Sequence, residues 1–430
     1  MACSITLVRI VSTLPHKTLT IPVLTLIFLA AILWAAPRQA RNVLITGSAL
    51  LAFVYCGDVC LALVRGAQDG AYSNLTSAIG KIALYLTMLT FGMVAVASAR
   101  DSAERDERLT GVLLAPAVYA VVNLLLSLAG MQNPVPAGAT AGGQDQLLGF
   151  VGVGRGRQVF PLTTSINLYS IVAAASVAGL VVMRFRSPER LPRTIAWLGI
   201  VVCLYEILAG DSRGALAVTA AVIALFLLRR RFAGASGVAA LIPFFPLIII
   251  GALDLLANTG IADVLGRGGN FGSVASGTGR VYIWKGTWLV LRHFELQHLI
   301  GWGAGGQIPS GASIHYAFVF AGQPLAYTVF THDVVLQTIL DEGYIGLAIL
   351  VAVIWRTFLL LGRHVRREPS SPAAALIAML LVIVLSGATE VSPSYYAEEV
   401  LLMTFLISGA AAALAVWVPG GPTQAFGRPT

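Results

Sequence analysis

The chain has 430 residues, 57% of them apolar and only 11% charged, with a formal net charge of +8. That balance lies outside the range of soluble domains and specifies a polytopic, all-α integral membrane protein. Its arginines gather at the ends of apolar segments, so the excess charge orients the chain and meets anionic headgroups, and no nucleic-acid partner is expected.

Apolar runs long enough to cross about 30 Å of hydrocarbon fall at 19–36, 43–64, 78–99, 110–130, 161–183, 194–209, 215–228, 237–257, 334–355, 373–389 and 399–417. The segment Ala2 to Leu14, apolar except for Arg9, is a twelfth span or an interfacial helix, and twelve is the favoured total. No small-residue cleavage site follows a charged start, so a removable signal peptide is not expected. Three regions result: 1–258 with the first eight or nine spans and short loops, 259–332 as one large outward loop containing amphipathic helix, and 333–430 with the last spans and a short tail. The four cysteines, Cys3, Cys56, Cys60 and Cys203, lie in or beside apolar segments and indicate neither a disulfide framework nor a zinc site.

Orientation follows from the basic connections. Arg38 and Arg41, Arg100 to Arg108, Arg184 to Arg193, Arg229 to Arg231 and Arg356 to Arg367 mark alternate turns as cytoplasmic. The other turns, 131–160, 210–214 and the long 259–332 stretch, then face outward. The N-terminus is cytoplasmic with twelve spans and external with eleven.

Cations left on the outward side need another reason to be there. Arg65, Lys81 and Arg292 are read as surface ion pairs or solvated side chains. Arg213 stands in Gly210-Asp-Ser-Arg-Gly214, between apolar runs that rise only about 21–24 Å as helices, which sinks the hairpin tip below the surface. Gly210 is placed to end the first helix, and Asp211 or Ser212 to cap the second, whose free N–H groups and dipole would favour an anion beside the guanidinium. Arg155 and Arg157 follow a glycine-rich stretch ahead of Phe160-Pro161. Arg280 heads a segment in which Val281, Trp284, Trp288 and Leu291 recur at helical spacing, predicting an amphipathic helix against the bundle or the membrane face. His332, with Thr331 placed to cap and Asp333 beside it, opens the next span and offers a titratable base near a helix start. His293, His298 and His315 carry no comparable context.

In their order along the chain, several blocks resemble the O-antigen ligase and O-antigen polymerase superfamily: Arg157 to Asn167 before a span, Asp211-Ser-Arg-Gly214, Arg280 to Trp284 followed by Leu299-Ile-Gly-Trp-Gly-Ala-Gly305, and His332 with Leu336, Gly343 and Gly346. The likeness covers residues 150 to 360. Where that family carries a glutamate nine residues after the histidine, this chain has Asp341, with Glu342 next. The resemblance implies a GT-C type, metal-independent and cofactor-free glycosyltransferase on the periplasmic face of the bacterial inner membrane. Its donor would be a glycan on undecaprenyl pyrophosphate and its acceptor a sugar of the lipid A core. His332 would serve as general base, Arg213, Arg280 and Arg157 would hold the diphosphate, and Asp333, Asp341, Ser212, Trp284 and Arg155 would support them. The ligase is preferred over the polymerase, and a protein oligosaccharyltransferase ranks third. A transporter or flippase of polyprenyl-linked glycan is the alternative of another class. No internal repeat supports it, but Asp58, Glu206 and Asp254 are ionisable residues within spans.

Overall fold

The structure is a computed structural model and describes residues 25, 27–34, 36, 38–71, 75–133, 158–163, 165–187, 189, 191–228, 279–320 and 328–416. The segments 2–14 and 237–257, the tail, Arg155 and Arg157 lie outside the described residues.

Among the described residues the chain is helical and has no strand. The helices are α1 (Arg38–Val43), α2 (Gly47–Gln68), α3 (Leu75–Ala97), α4 (Ser102–Leu128), α5 (Ile166–Arg186), α6 (Arg193–Ala209), α7 (Arg213–Leu228), α8 (Arg280–Leu291), α9 (Gln297–Ile300), α10 (Val334–Arg367), α11 (Ala373–Ser386) and α12 (Glu398–Leu414). Five of them, α2, α3, α4, α5 and α10, are long and apolar enough to cross a membrane. Helices α2, α3 and α10 begin within four residues of their expected starts, α5 begins five residues late at Ile166, and α4 begins eight residues early at Ser102, where Asp101 caps a polar first turn ahead of the apolar run. The expected span at 334–355 runs on to Arg367, a length of 34 residues, and the one at 373–389 stops at Ser386.

The core is made by α5, α11 and α12, which are buried almost along their whole lengths. Helix α11 packs on α5, and α12 packs on α3. The α3–α12 crossing is close because Gly92 and Gly409 each face the partner's backbone, where a β-carbon would overlap Leu406 O or Leu89 O. Small residues at such crossings permit the backbone approach that holds helices together in lipid.

The two ends of the bundle differ chemically. At one end the fully buried Arg105 pairs with Asp106 (Nη2–Oδ1 2.9 Å) and with Glu368 at the foot of α10. Ser187, at the end of α5, donates to Ser370 O beside it. All the described basic turns assigned to the cytoplasm lie at this end. Asp106, His364 and Glu368 are the one metal-spaced group among the described residues, but Arg105 already bonds both of its carboxylates.

At the other end, α10 is broken. Gly343 takes φ 76° and ψ −175°, and the stretch 300–306 fills the break. Trp302 N donates to Leu340 O (2.7 Å) and Gly303 N to Asp341 O (2.9 Å), while Ala304 N donates to Ala62 O of α2 (2.8 Å). Arg65 closes the clamp from α2, its two Nη atoms bonding Ile300 O and Gly301 O at 2.9 and 2.7 Å. Arg65 is therefore a tether between helices and not a solvated cation. Lys81 does make an ion pair, with Glu398 at 3.8 Å.

Candidate functional site

The turn before α10 sets His332. Asp333, not Thr331, is the N-cap: its Oδ1 accepts from Leu336 N at 2.8 Å, whereas the Thr331 hydroxyl donates to Asp333 O. His332 itself adopts φ 52°, a left-handed conformation that costs a non-glycine residue about 1–2 kcal/mol and persists where its neighbours over-determine it. Those neighbours are specific. Trp284 of α8 donates its indole N–H to Thr331 O (3.0 Å), Gln337 accepts from Thr331 N (2.9 Å), and the Phe330 ring lies 4.6 Å from the imidazole. Burial lifts the Asp333 carboxyl to about 7 against the backbone donors that oppose it, and its Oδ2 has no partner among the described residues.

His332 faces Glu390, which lies in the turn between α11 and α12. The two meet at 3.3 Å through Nδ1 and Oε2, and Arg280, the first residue of α8, reaches Oε1 of the same carboxylate at 2.5 Å. Asn167, in the first turn of α5, donates to that Oε1 at 3.2 Å. Burial alone would raise the Glu390 carboxyl, but the Arg280 charge, the His332 bond and the Asn167 amide together hold it below the ordinary glutamate range. Glu390 is therefore an anion, and an anion only accepts hydrogen bonds. For a neutral His332 that places the proton on Nδ1 and leaves Nε2 with a lone pair.

The turn is held to α10 by Val334 N donating to Gly387 O (2.9 Å), with Gly387 so close to Ser392 O that a side chain would not fit. Beneath it lies a buried polar tier. Asp341 accepts from Gly306 N (2.8 Å) and from Gln337 (3.0 Å), and Gln337 also bonds Gln307 Oε1 (2.9 Å) and the Tyr396 hydroxyl (3.2 Å). Asp341 thus braces the loop and the backbone before His332; the carboxylate on the histidine is Glu390.

The hairpin tip meets this cluster through α5. Gly210 ends α6 in a right-handed conformation, Asp211 takes the left-handed one (φ 48°), and Arg213 opens α7 with its Nε 3.5 Å from Asp211 Oδ1. Asp211 and Ser212 are both buried. Gly210 abuts Ser170 and Ile166, so the tip and Glu390 share the first turn of α5, on which Asn167 stands. Gln158, the residue after Arg157, donates its backbone N–H to Ala209 O beside the same tip (2.9 Å).

Sequence reasoning gathered His332, Arg280, Trp284 and Arg213 and missed Glu390 and Asn167. The span drawn to residue 389 hid Glu390 at its margin. Its signal was available in a single acidic residue immediately after an apolar run. The proposed stripe on α8 also divides: Trp284 and Leu291 are buried, Val281 is half-buried, and Trp288 points away from the protein.

Fold and geometry together define the class, an all-α membrane protein with an arginine–carboxylate–imidazole cluster at one end. No protein-family model matches the chain, and no curated protein matches it.

Proposed function

We propose that the protein is a GT-C type membrane glycosyltransferase that moves an O-antigen glycan from undecaprenyl pyrophosphate to a sugar hydroxyl of the lipid A core, at the periplasmic face of the bacterial inner membrane. The observation that carries this reading is the Arg280–Glu390–His332 cluster at the end of the bundle opposite the basic turns. With Nδ1–H committed to Glu390, His332 Nε2 takes the proton of the acceptor hydroxyl as that oxygen attacks the anomeric carbon. The new glycosidic C–O bond forms while the bond from that carbon to the diphosphate breaks on the opposite side, so the centre inverts and the electron pair leaves on the diphosphate. Arg280, of whose five N–H donors Glu390 uses few, and Arg213 neutralise that charge, a task arginine forks perform without a metal. Arg157 joins this set in the proposal, with Arg155, Ser212 and Asp333 in support.

The discriminating assay offers purified protein a polyprenyl-diphosphate glycan together with either lipid A core or free repeat units, with products resolved by length. A single transfer to the lipid supports the ligase, a growing ladder indicates a polymerase, and no new glycosidic bond with either acceptor removes the transferase reading. One observation favours a second class. The Asp58 and Glu342 carboxyls both border Gly346 between α2 and α10, an ionisable pair of the kind that couples proton movement to transport. Movement of labelled glycolipid across reconstituted vesicles without bond formation would select that alternative.

A further inference from the structure

Helix α8 presents two faces. Ile283, Trp284, Gly286, Thr287 and Leu291 are buried, with Gly286 packed on Tyr316 and His315. The opposite side carries Tyr282, Lys285, Trp288, Leu289 and Arg292, all exposed; Tyr282 is 48%, Trp288 58% and Leu289 43% accessible. At 3.6 residues per turn these five fall within an arc of roughly 120°. An exposed stripe of large aromatic and aliphatic side chains alternating with cations is unusual on a face bathed in water. It is the pattern of a helix lying in a membrane interface, where indole and phenol sit at headgroup level and basic side chains reach phosphate.

The depth of α8 in the bundle agrees. Phe294, two residues past its cap, stacks on Tyr344 of α10 with ring centroids 6.3 Å apart. Helix α10 is too long for a bilayer; Arg356 is half-buried and bonded to Ser48 Oγ at 2.9 Å, so the exposed basic foot begins at Arg363 and not at the expected Arg356. About 20 residues span the hydrocarbon, and counting them back from Arg363 places the outer boundary at Tyr344, next to the exposed Ile345. The C-terminal end of α8 therefore lies at that boundary, and the exposed Phe294 and Leu296 continue its stripe. Glu295 is the one carboxylate within this exposed stretch, against Lys285 and Arg292.

We infer that the outer stripe of α8 is a binding surface for anionic phospholipid of the outer leaflet, with Tyr282, Trp288 and Leu289 in the headgroup–acyl boundary and Lys285 and Arg292 on lipid phosphates. The inference rests on the chain being a membrane protein and not on glycosyl transfer. Its consequence is positional. Arg280 begins the same helix and Trp284 is bonded to the residue before His332, so lipid contact along one face fixes the height of the whole cluster above the bilayer.

The test uses the full chain in nanodiscs. Native mass spectrometry counts phosphatidylglycerol retained from a mixed phosphatidylglycerol–phosphatidylcholine bilayer, comparing wild type with K285E/R292E. The double variant is expected to lose at least roughly thirtyfold of the preference for the anionic lipid, from about 1 kcal/mol for each of the two basic side chains at an anionic surface. In parallel, an environment-sensitive dye on Leu289→Cys, with the native cysteines replaced, should show a blue-shifted emission that lipid-borne quenchers at headgroup depth suppress. Equal phosphatidylglycerol retention by both proteins would overturn the inference, as would a water-like emission from the dye. Should the cysteine-replaced chain fail to fold, the retention measurement decides alone.

Discussion

Replacing Glu390 with glutamine removes the negative charge that Arg280 and His332 share while keeping the shape of the side chain. The amide either donates to His332, forcing the proton onto Nε2, or leaves the imidazole unoriented, and both outcomes spoil the base. Turnover is expected to fall by roughly 10²–10⁴-fold, the usual range for losing a positioned acid–base group, with a small change in donor KM. His332→Ala should abolish transfer while donor binding persists; normal transfer by that variant would end the assignment of the base. The carboxylate also predicts a pH dependence. Its folded value lies below its unfolded one, so it contributes stability throughout the range above the ordinary glutamate value near about 4.3, and loses that contribution as pH falls through the lowered value. Thermal unfolding followed from pH 7 to pH 3 should show an acid loss in the wild-type protein that is smaller in the glutamine variant.

At the scale of the element, the break in α10 makes the strongest claim. Gly343 has φ 76°, and a β-carbon there would overlap the Leu299 carbonyl. Gly343→Ala is expected to destabilise the protein by about 2 kcal/mol or more, since alanine both meets backbone and occupies a left-handed conformation. A melting temperature in detergent within one degree of wild type would contradict that account. The carboxyl pair beside the break behaves differently. Asp58 Oδ2 and Glu342 Oε2 both border Gly346, and neither has a hydrogen-bond partner among the described residues. Asp58→Asn keeps the volume, adds a donor beside an acceptor that lacks one and should be tolerated, whereas Glu342→Ala leaves a cavity in a buried contact and should lower expression. The start of α10 was readable because an apolar run follows a polar one, and so were α2 to α5. Its break was not: Leu299 to Gly305 is glycine-rich and reads as a loop, yet those glycines exist so that this stretch can lie against the backbones of α2 and α10. The outward turn of Trp288 was missed for a related reason. Apolar periodicity finds an inner face in water, but at a lipid boundary both faces are apolar.

For the whole molecule, the segregation of charge turns a local cluster into a statement about sidedness. The buried Arg105 clasp and the basic feet of α5 and α10 share one end, and the Arg280–Glu390–His332 cluster occupies the other. Arginine-rich connections tend to remain in the cytoplasm, so the proposed function has the cluster outside, where a lipid A core acceptor and a flipped polyprenyl donor would both be within reach. Two exposed positions report this directly: Glu295, just past α8, and Arg366, at the foot of α10. A membrane-impermeant maleimide added to intact spheroplasts should label Glu295→Cys and leave Arg366→Cys untouched until the membrane is permeabilised, with the native cysteines measured in the unsubstituted chain as background. The reverse pattern would put the cluster on the side where no core acceptor awaits transfer. It would leave the geometry of His332 and Glu390 intact and remove the proposed reaction from it.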